Sequence, residues 1–108
     1  MALKWPDKDK DEQLDYNVDW SRFLGDDTIT SVKWFVDNAS EVKTEVDFNS
    51  LPQTIHGLLV ASKTNTSTVS TIRLGLGTNN NRYKIYCQVT TAEGLTYERA
   101  IFLRIKEK

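Results

Sequence analysis

The sequence predicts an all-β fold, an antiparallel β-sandwich, on three observations. Its longer apolar stretches alternate with period 2, as half-buried strands do. Thr, Val and Ile are frequent while Ala is scarce, a composition suited to pleated surfaces. These stretches recur roughly every 8–12 residues with turn residues between them, and no helical pattern is long enough to cover a parallel sheet.

Taken in order, residues 1–12 (MALKWPDKDKDE) are too charged to enter a core and predict a solvated N-terminal arm, leaving 13–108 for the sandwich. Leu14 to Trp20 is the cleanest strand, with Leu14, Tyr16, Val18 and Trp20 inward and Asp15, Asn17 and Asp19 outward. Ser21 to Asp27, containing Gly25, reads as a turn-like link. Thr28 to Val36 follows as a strand with Val32, Trp34 and Val36 on one face. Asp37 to Asn49 carries two patterns: Ala39, Val42 and Val46 at helical spacing, and Val42, Thr44, Val46 and Phe48 at strand spacing, of which strand is favoured. Leu51-Pro52 ends it, because proline cannot donate to a central ladder.

Gly57 to Ser62 and Ser67 to Leu74 predict consecutive antiparallel strands around a polar Lys63 to Thr66 connection. Gly75 to Asn81 is a loop of residues that tolerate positive φ. Arg82 to Thr91 and Thr96 to Lys106, joined by Ala92-Glu93-Gly94-Leu95, form a hairpin. About seven strands at this spacing make the sandwich immunoglobulin-like, without the Cys pair of antibody domains. Packing alone must hold it, with Trp20, Trp34, Tyr83 and Phe102 as bulky core members. Cys87 shares the parity of Tyr83, Ile85 and Val89 and reads as an inert core thiol.

Composition narrows the function. At 108 residues and 12.4 kDa there is room for one core. A hydrophobic content of 39% excludes a disordered chain, and no apolar run reaches the roughly 20 residues of a membrane span. A net charge of -1 argues against coating nucleic acid. The first residues hold no apolar signal region, so Asn38-Ala39-Ser40 and Asn65-Thr66-Ser67 are not expected to be glycosylated. Charge is uneven along the chain: residues 1–27 are net -4 and residues 82–108 net +3. Either neighbouring strands of opposite charge pair across a sheet, or the module attracts its neighbours end to end.

No constellation for chemistry emerges, and no catalytic, cofactor-binding or metal-binding residue is expected. Asp7-Lys8-Asp9-Lys10-Asp11 opens like a calcium loop, but its sixth position is Glu12 where glycine is needed and its twelfth is Val18 where a bidentate glutamate is needed. Asp26-Asp27 suits turn formation better than a cation. The single His56 has nothing to bring it to Cys87, and zinc lacks ligands. Gly75-Leu76-Gly77 lacks the third glycine, helix and lysine of a phosphate loop. A domain this small has little room for the cleft that paired carboxylates would need.

Two ends of the chain carry a resemblance. Trp5-Pro6-Asp7-Lys8-Asp9, then Leu14-Asp15-Tyr16-Asn17-Val18-Asp19-Trp20, Leu24, Gly25, Asp26 and Thr28-Ile29-Thr30-Ser31 with Trp34, resemble the opening of the small tail-fibre adaptor proteins of tailed bacteriophages and prophages. Tyr83, Val89-Thr90-Thr91-Ala92-Glu93-Gly94 and Arg99 to Ile105 look like that family's final hairpin, and Gly57-Leu58 like its mid-chain strand start. Asp37 to Ile55 departs from it by its length and is expected to hold an inserted hairpin or an adapted contact surface.

The resemblance implies a non-enzymatic virion protein, assembled in the host cytoplasm. It would link fibres to the tail or head-tail junction, in multiple copies and against other virion proteins, with no cofactor, nucleic acid or membrane. The expected partner-binding residues are Lys4, Trp5, Pro6, Asp7, Asp9 and Asp11, with Trp5 either anchoring a neighbour or folding back. A capsid decoration protein of the same fold is the nearest alternative. A carbohydrate-binding module stacking sugars on Trp5, Tyr86 or Tyr97 is the other.

Overall fold

Alternating strands bury one face each, and here two sheets bury those faces against one another. The computed structural model describes residues 3–37, 43–78 and 80–106. Its first sheet runs in the order β1 (Leu3–Lys4), β9 (Thr96–Arg104), β8 (Arg82–Thr91), β3 (Ile29–Asp37), β4 (Thr44–Glu45). The second runs β2 (Leu14–Asp19), β7 (Val69–Leu76), β6 (Leu58–Asn65), β5 (Gln53–Ile55). All neighbours are antiparallel except β1 and β9. With β2, β7 and β6 in the places of strands B, E and D, and β3, β8 and β9 in those of C, F and G, this is the strand order of an immunoglobulin-like sandwich.

The core follows the predicted parities closely. Val32, Trp34 and Val36 of β3 and Tyr83, Ile85, Cys87 and Val89 of β8 are buried, and Trp34 lies opposite Cys87 in the ladder. Burial of the Cys87 thiol pushes its pKa up to about 12, which keeps it protonated and unreactive. Phe102 is a correction. It pairs with Lys84 on the outer face of the first sheet, while Ile101, Leu103 and Ile105 point in. Leu14 also differs: it is 37% exposed at the open end of β2.

Links differ more than strands. Ser21–Leu24 closes one helical turn, α1, and Gly25 leaves it at φ 58°. In the Asp37 to Asn49 stretch, Asp37 ends β3, and the described residues after it form the short β4, then a 3-10 turn at Phe48–Ser50 capped by the Asp47 carboxylate. Ala39, Val42 and the Asn38 sequon lie outside the described residues. Between β5 and β6, Ile55 pairs directly with Leu58, so His56 and Gly57 alone make the turn. Both have positive φ, 53° and 84°, as a type I′ hairpin requires. Tyr83 fixes this turn from the opposite sheet: its hydroxyl donates to the His56 carbonyl at 2.6 Å and accepts the Thr78 amide at 3.2 Å. A buried phenol thus finds partners in both directions.

At the far end Asp27 ties α1 to the last hairpin. The Thr91 hydroxyl, with the Thr28 and Glu93 amides, holds its carboxyl below the usual range.

Candidate docking site

The site is built from the N-terminal segment and β2. Residues 3–8 follow the edge of the first sheet. They lie along β9, with the Trp5 amide on the Phe102 carbonyl and the Lys8 amide on the Arg104 carbonyl, each at 2.9 Å. The Lys106 amide returns a bond to Lys8 at 2.8 Å. Strand β9 would otherwise offer a bare edge. The start of the described chain therefore lies beside its end.

Lys8 secures this arrangement. It is fully buried, and its ammonium donates to the carbonyls of Asp9 and Leu76, both at 2.6 Å. The second of these ties the first sheet's edge to the end of β7. Sequence reading missed Lys8 because alternating Lys and Asp look like a solvated run. Its signal is visible only once the Leu76 carbonyl is known to lie nearby. Lys8→Met keeps the stem and removes the donor. It is expected to cost about 1–3 kcal/mol, the penalty for buried polar groups left without partners. Urea unfolding measures that cost, and faster amide exchange at Trp5 and Lys8 should accompany it.

Trp5, displayed by this segment, stacks on Tyr16 at 4.7 Å between ring centroids and lies 6.5 Å from Trp34. It is half-buried against the core. Between it and β2 runs an open groove of ≈ 410 Å³, lined by Trp5, Pro6, Asp7, Leu14, Asp15, Tyr16 and Asn17. Two polar atoms of its lining residues are buried without a hydrogen-bond partner: Asp7 Oδ1 and the Tyr16 hydroxyl, the latter on a side chain only 6% exposed. Burial, with the Glu12 charge adding to it, pushes the Tyr16 phenol up to about 12, so it stays a neutral donor and acceptor.

The remaining predicted residues divide. Lys4 contributes its backbone to the ladder opposite Phe102. Pro6 is exposed and Asp7 half-buried at the groove wall. Asp9 turns its carboxylate back onto the Asp11 amide at 2.8 Å, and Glu12 accepts the Asp9 amide at 2.9 Å, so these two shape a turn. Asp11 is exposed on that turn. Asp15, at the groove floor, is held below the usual carboxylate range by its bond to Arg73 at 2.7 Å. Among the described residues no group of three His, Cys, Asp or Glu side chains could hold a metal ion. His56 meets Thr44 at 3.2 Å, and Cys87 lies within the core.

The three aromatic rings considered for sugar stacking do not share a surface. Trp5 lines the groove, and Tyr97 packs half-buried beside Trp20 at 6.4 Å. Tyr86 lies on the outer face of the first sheet, under the ammonium groups of Lys43 at 4.1 Å and Lys84 at 5.4 Å. That outer face went unremarked in the sequence, although outward Arg82, Lys84 and Tyr86 alternate plainly along one strand. With Phe35 and Phe102 it forms a row of rings and cations across β3, β8 and β9.

A family model described as podophage GP4 fiber-tail adaptor protein gp77 matches residues 8–104 of the chain. No curated protein matches it.

Proposed function

Since the chain belongs to the podophage fiber-tail adaptor family, a structural component of the phage tail, we propose that it works without catalysis, joining tail fibres to the tail or head-tail junction by docking against other virion proteins. Multiple copies act together in a symmetric assembly. The groove between the N-terminal segment and β2 is where a partner seats. Trp5, Pro6 and Asp7 form one wall, and Lys4, Asp9 and Asp11 hold and flank it.

One observation carries this reading: an open groove is walled by a half-buried tryptophan and bordered by the exposed Pro6 and Leu14. Tryptophan in a concave surface is among the residues through which a few contacts dominate binding. The free edge of β2 beside it can also take an extended segment as an added strand.

Asp7→Arg combined with Leu14→Glu tests the reading, because neither side chain is fully buried. Incorporation into particles is expected to fall by at least about tenfold, the factor that 1.4 kcal/mol represents. Thermal stability should stay unchanged. Wild-type occupancy on purified particles would sink the groove as the docking site.

A further inference from the structure

The two sheets end differently beside the N-terminal segment. The edge of the first, β9, is covered by residues 3–8. The edge of the second, β2, is hydrogen-bonded to β7 alone among the described residues. In an immunoglobulin sandwich the place next to strand B belongs to strand A. Here the opening segment has joined the other sheet, and that place is empty.

The register fixes which backbone groups are left open. The Trp20 amide donates to the Thr68 carbonyl at 2.9 Å, one step beyond the Asp19 and Val69 pair. Bonded pairs alternate in an antiparallel ladder, so Leu14, Tyr16 and Val18 also turn their amides and carbonyls to β7. Asp15, Asn17 and Asp19 turn theirs outward. All three residues are exposed, and their amides meet no partner among the described residues. Edge strands are ordinarily blunted by proline, lysine, a bulge or a covering element. Strand β2, Leu-Asp-Tyr-Asn-Val-Asp, has none of these and runs along β7 without a break in register.

Taking the groove as the docking site, we infer that its occupant is a free extended segment of a different protein, which adds to β2 as an antiparallel strand. Its alternate side chains point inward onto Trp5 and Leu14, which line the groove, and are apolar. The others point outward, and the one opposite Asp19 is basic. Asp19 is exposed, has no ion pair among the described residues, and is kept ionised by the Ser21 amide on its carboxylate. A second copy of β2 cannot serve. Its inward Tyr16 and Val18 are committed to their own core, each 6% exposed, whereas the groove needs side chains with no fold behind them.

The probe is the synthetic peptide acetyl-Lys-Val-Thr-Val-Thr-Val-amide, whose lysine falls opposite Asp19 and whose valines face inward. So short a segment loses much of its binding energy to ordering, and a Kd of about 1 mM is expected. In NMR titration of the full chain to roughly 5 mM peptide, where about five-sixths is bound, the Asp15, Asn17 and Asp19 amide protons should move downfield. Those of Tyr16 and Val18, already bonded to β7, should hold their shifts. Methylating the peptide nitrogen of its third residue, which faces Asn17, should weaken binding at least about tenfold. The same change at its fourth residue, whose amide points away from β2, should leave binding intact. Exchanging the lysine for glutamate should weaken it about two- to fivefold.

Asn17→Pro repeats the block from the protein side, since the amide it removes faces outward. Circular dichroism checks its fold, and if that fold is lost the two methylated peptides decide alone. Three outcomes overturn the inference: no shift at roughly 5 mM, a shifted Trp5 indole with the three amides unmoved, or equal binding of both methylated peptides. The second of these would leave the groove occupied but not by a strand. The groove itself is judged separately, by particle occupancy of the Asp7→Arg, Leu14→Glu chain.

Discussion

Replacing Trp34 with alanine is expected to cost about 3–5 kcal/mol, the range for deleting a large aromatic side chain from a packed core. A domain of this size has roughly 5–15 kcal/mol in total, so the variant should be partly unfolded at physiological temperature. The residue has no exposed surface and sits centrally in β3, opposite Cys87. Its loss also removes the ring 6.5 Å from Trp5, so the groove wall loses support at the same time. A milder variant separates volume from polarity. The Trp34 indole nitrogen is buried without a partner, so Trp34→Phe gives up packing but also relieves an unpaired donor. It should cost less than half as much as alanine. Urea denaturation of both variants measures the difference, and equal losses would show that the indole nitrogen is satisfied in solution.

Gly77→Ala is the second large effect, expected at about 2–5 kcal/mol from backbone strain and overpacking together. Gly77 adopts φ +106°, and a Cβ there would lie 2.7 Å from Ile105 Cγ1 and 2.8 Å from its Cδ1. Ile105 has little room to yield. It is fully buried, its amide is bound to the Asn81 carbonyl at 2.9 Å, and it bridges to Lys8. The Gly77 amide is itself engaged with the Gly57 carbonyl at 3.0 Å. A double-mutant cycle with Ile105→Ala distinguishes the two causes, since shortening Ile105 removes the clash and leaves the φ strain. The double variant should be more stable than the sum of the single losses predicts. Strict additivity would assign the whole cost to the backbone.

The strands were legible wherever one face was apolar and the other polar. Leu14 to Trp20, Thr28 to Val36 and the last hairpin all fall close to their predicted bounds for that reason. Phe102 was misplaced because an aromatic residue in a strand is read as inward, whereas its partner Lys84 shows that the position faces out. Neighbouring Ile101 and Leu103 carried the correct parity, and their alternation outweighs one large ring. The docking site was legible only in part. Trp5 was singled out as an aromatic among charges, and it lines the groove, but Tyr16 was assigned wholly to the core. Whether a core-facing tyrosine leaves its hydroxyl open depends on what lies across from it, and that is set by residues distant in sequence. The Lys8 contact to Leu76 spans 68 residues, and no local pattern encodes it.

The parallel pairing of the N-terminal segment with β9 also orders events in time. Trp5 is made well before the Phe102 carbonyl that positions it, which lies 97 residues further on and follows roughly 5–20 s later at ordinary elongation rates. The segment must wait, and the groove it walls comes into existence only after β9 has been made. A nascent chain that has not yet made β9 consequently has no completed groove to offer a partner.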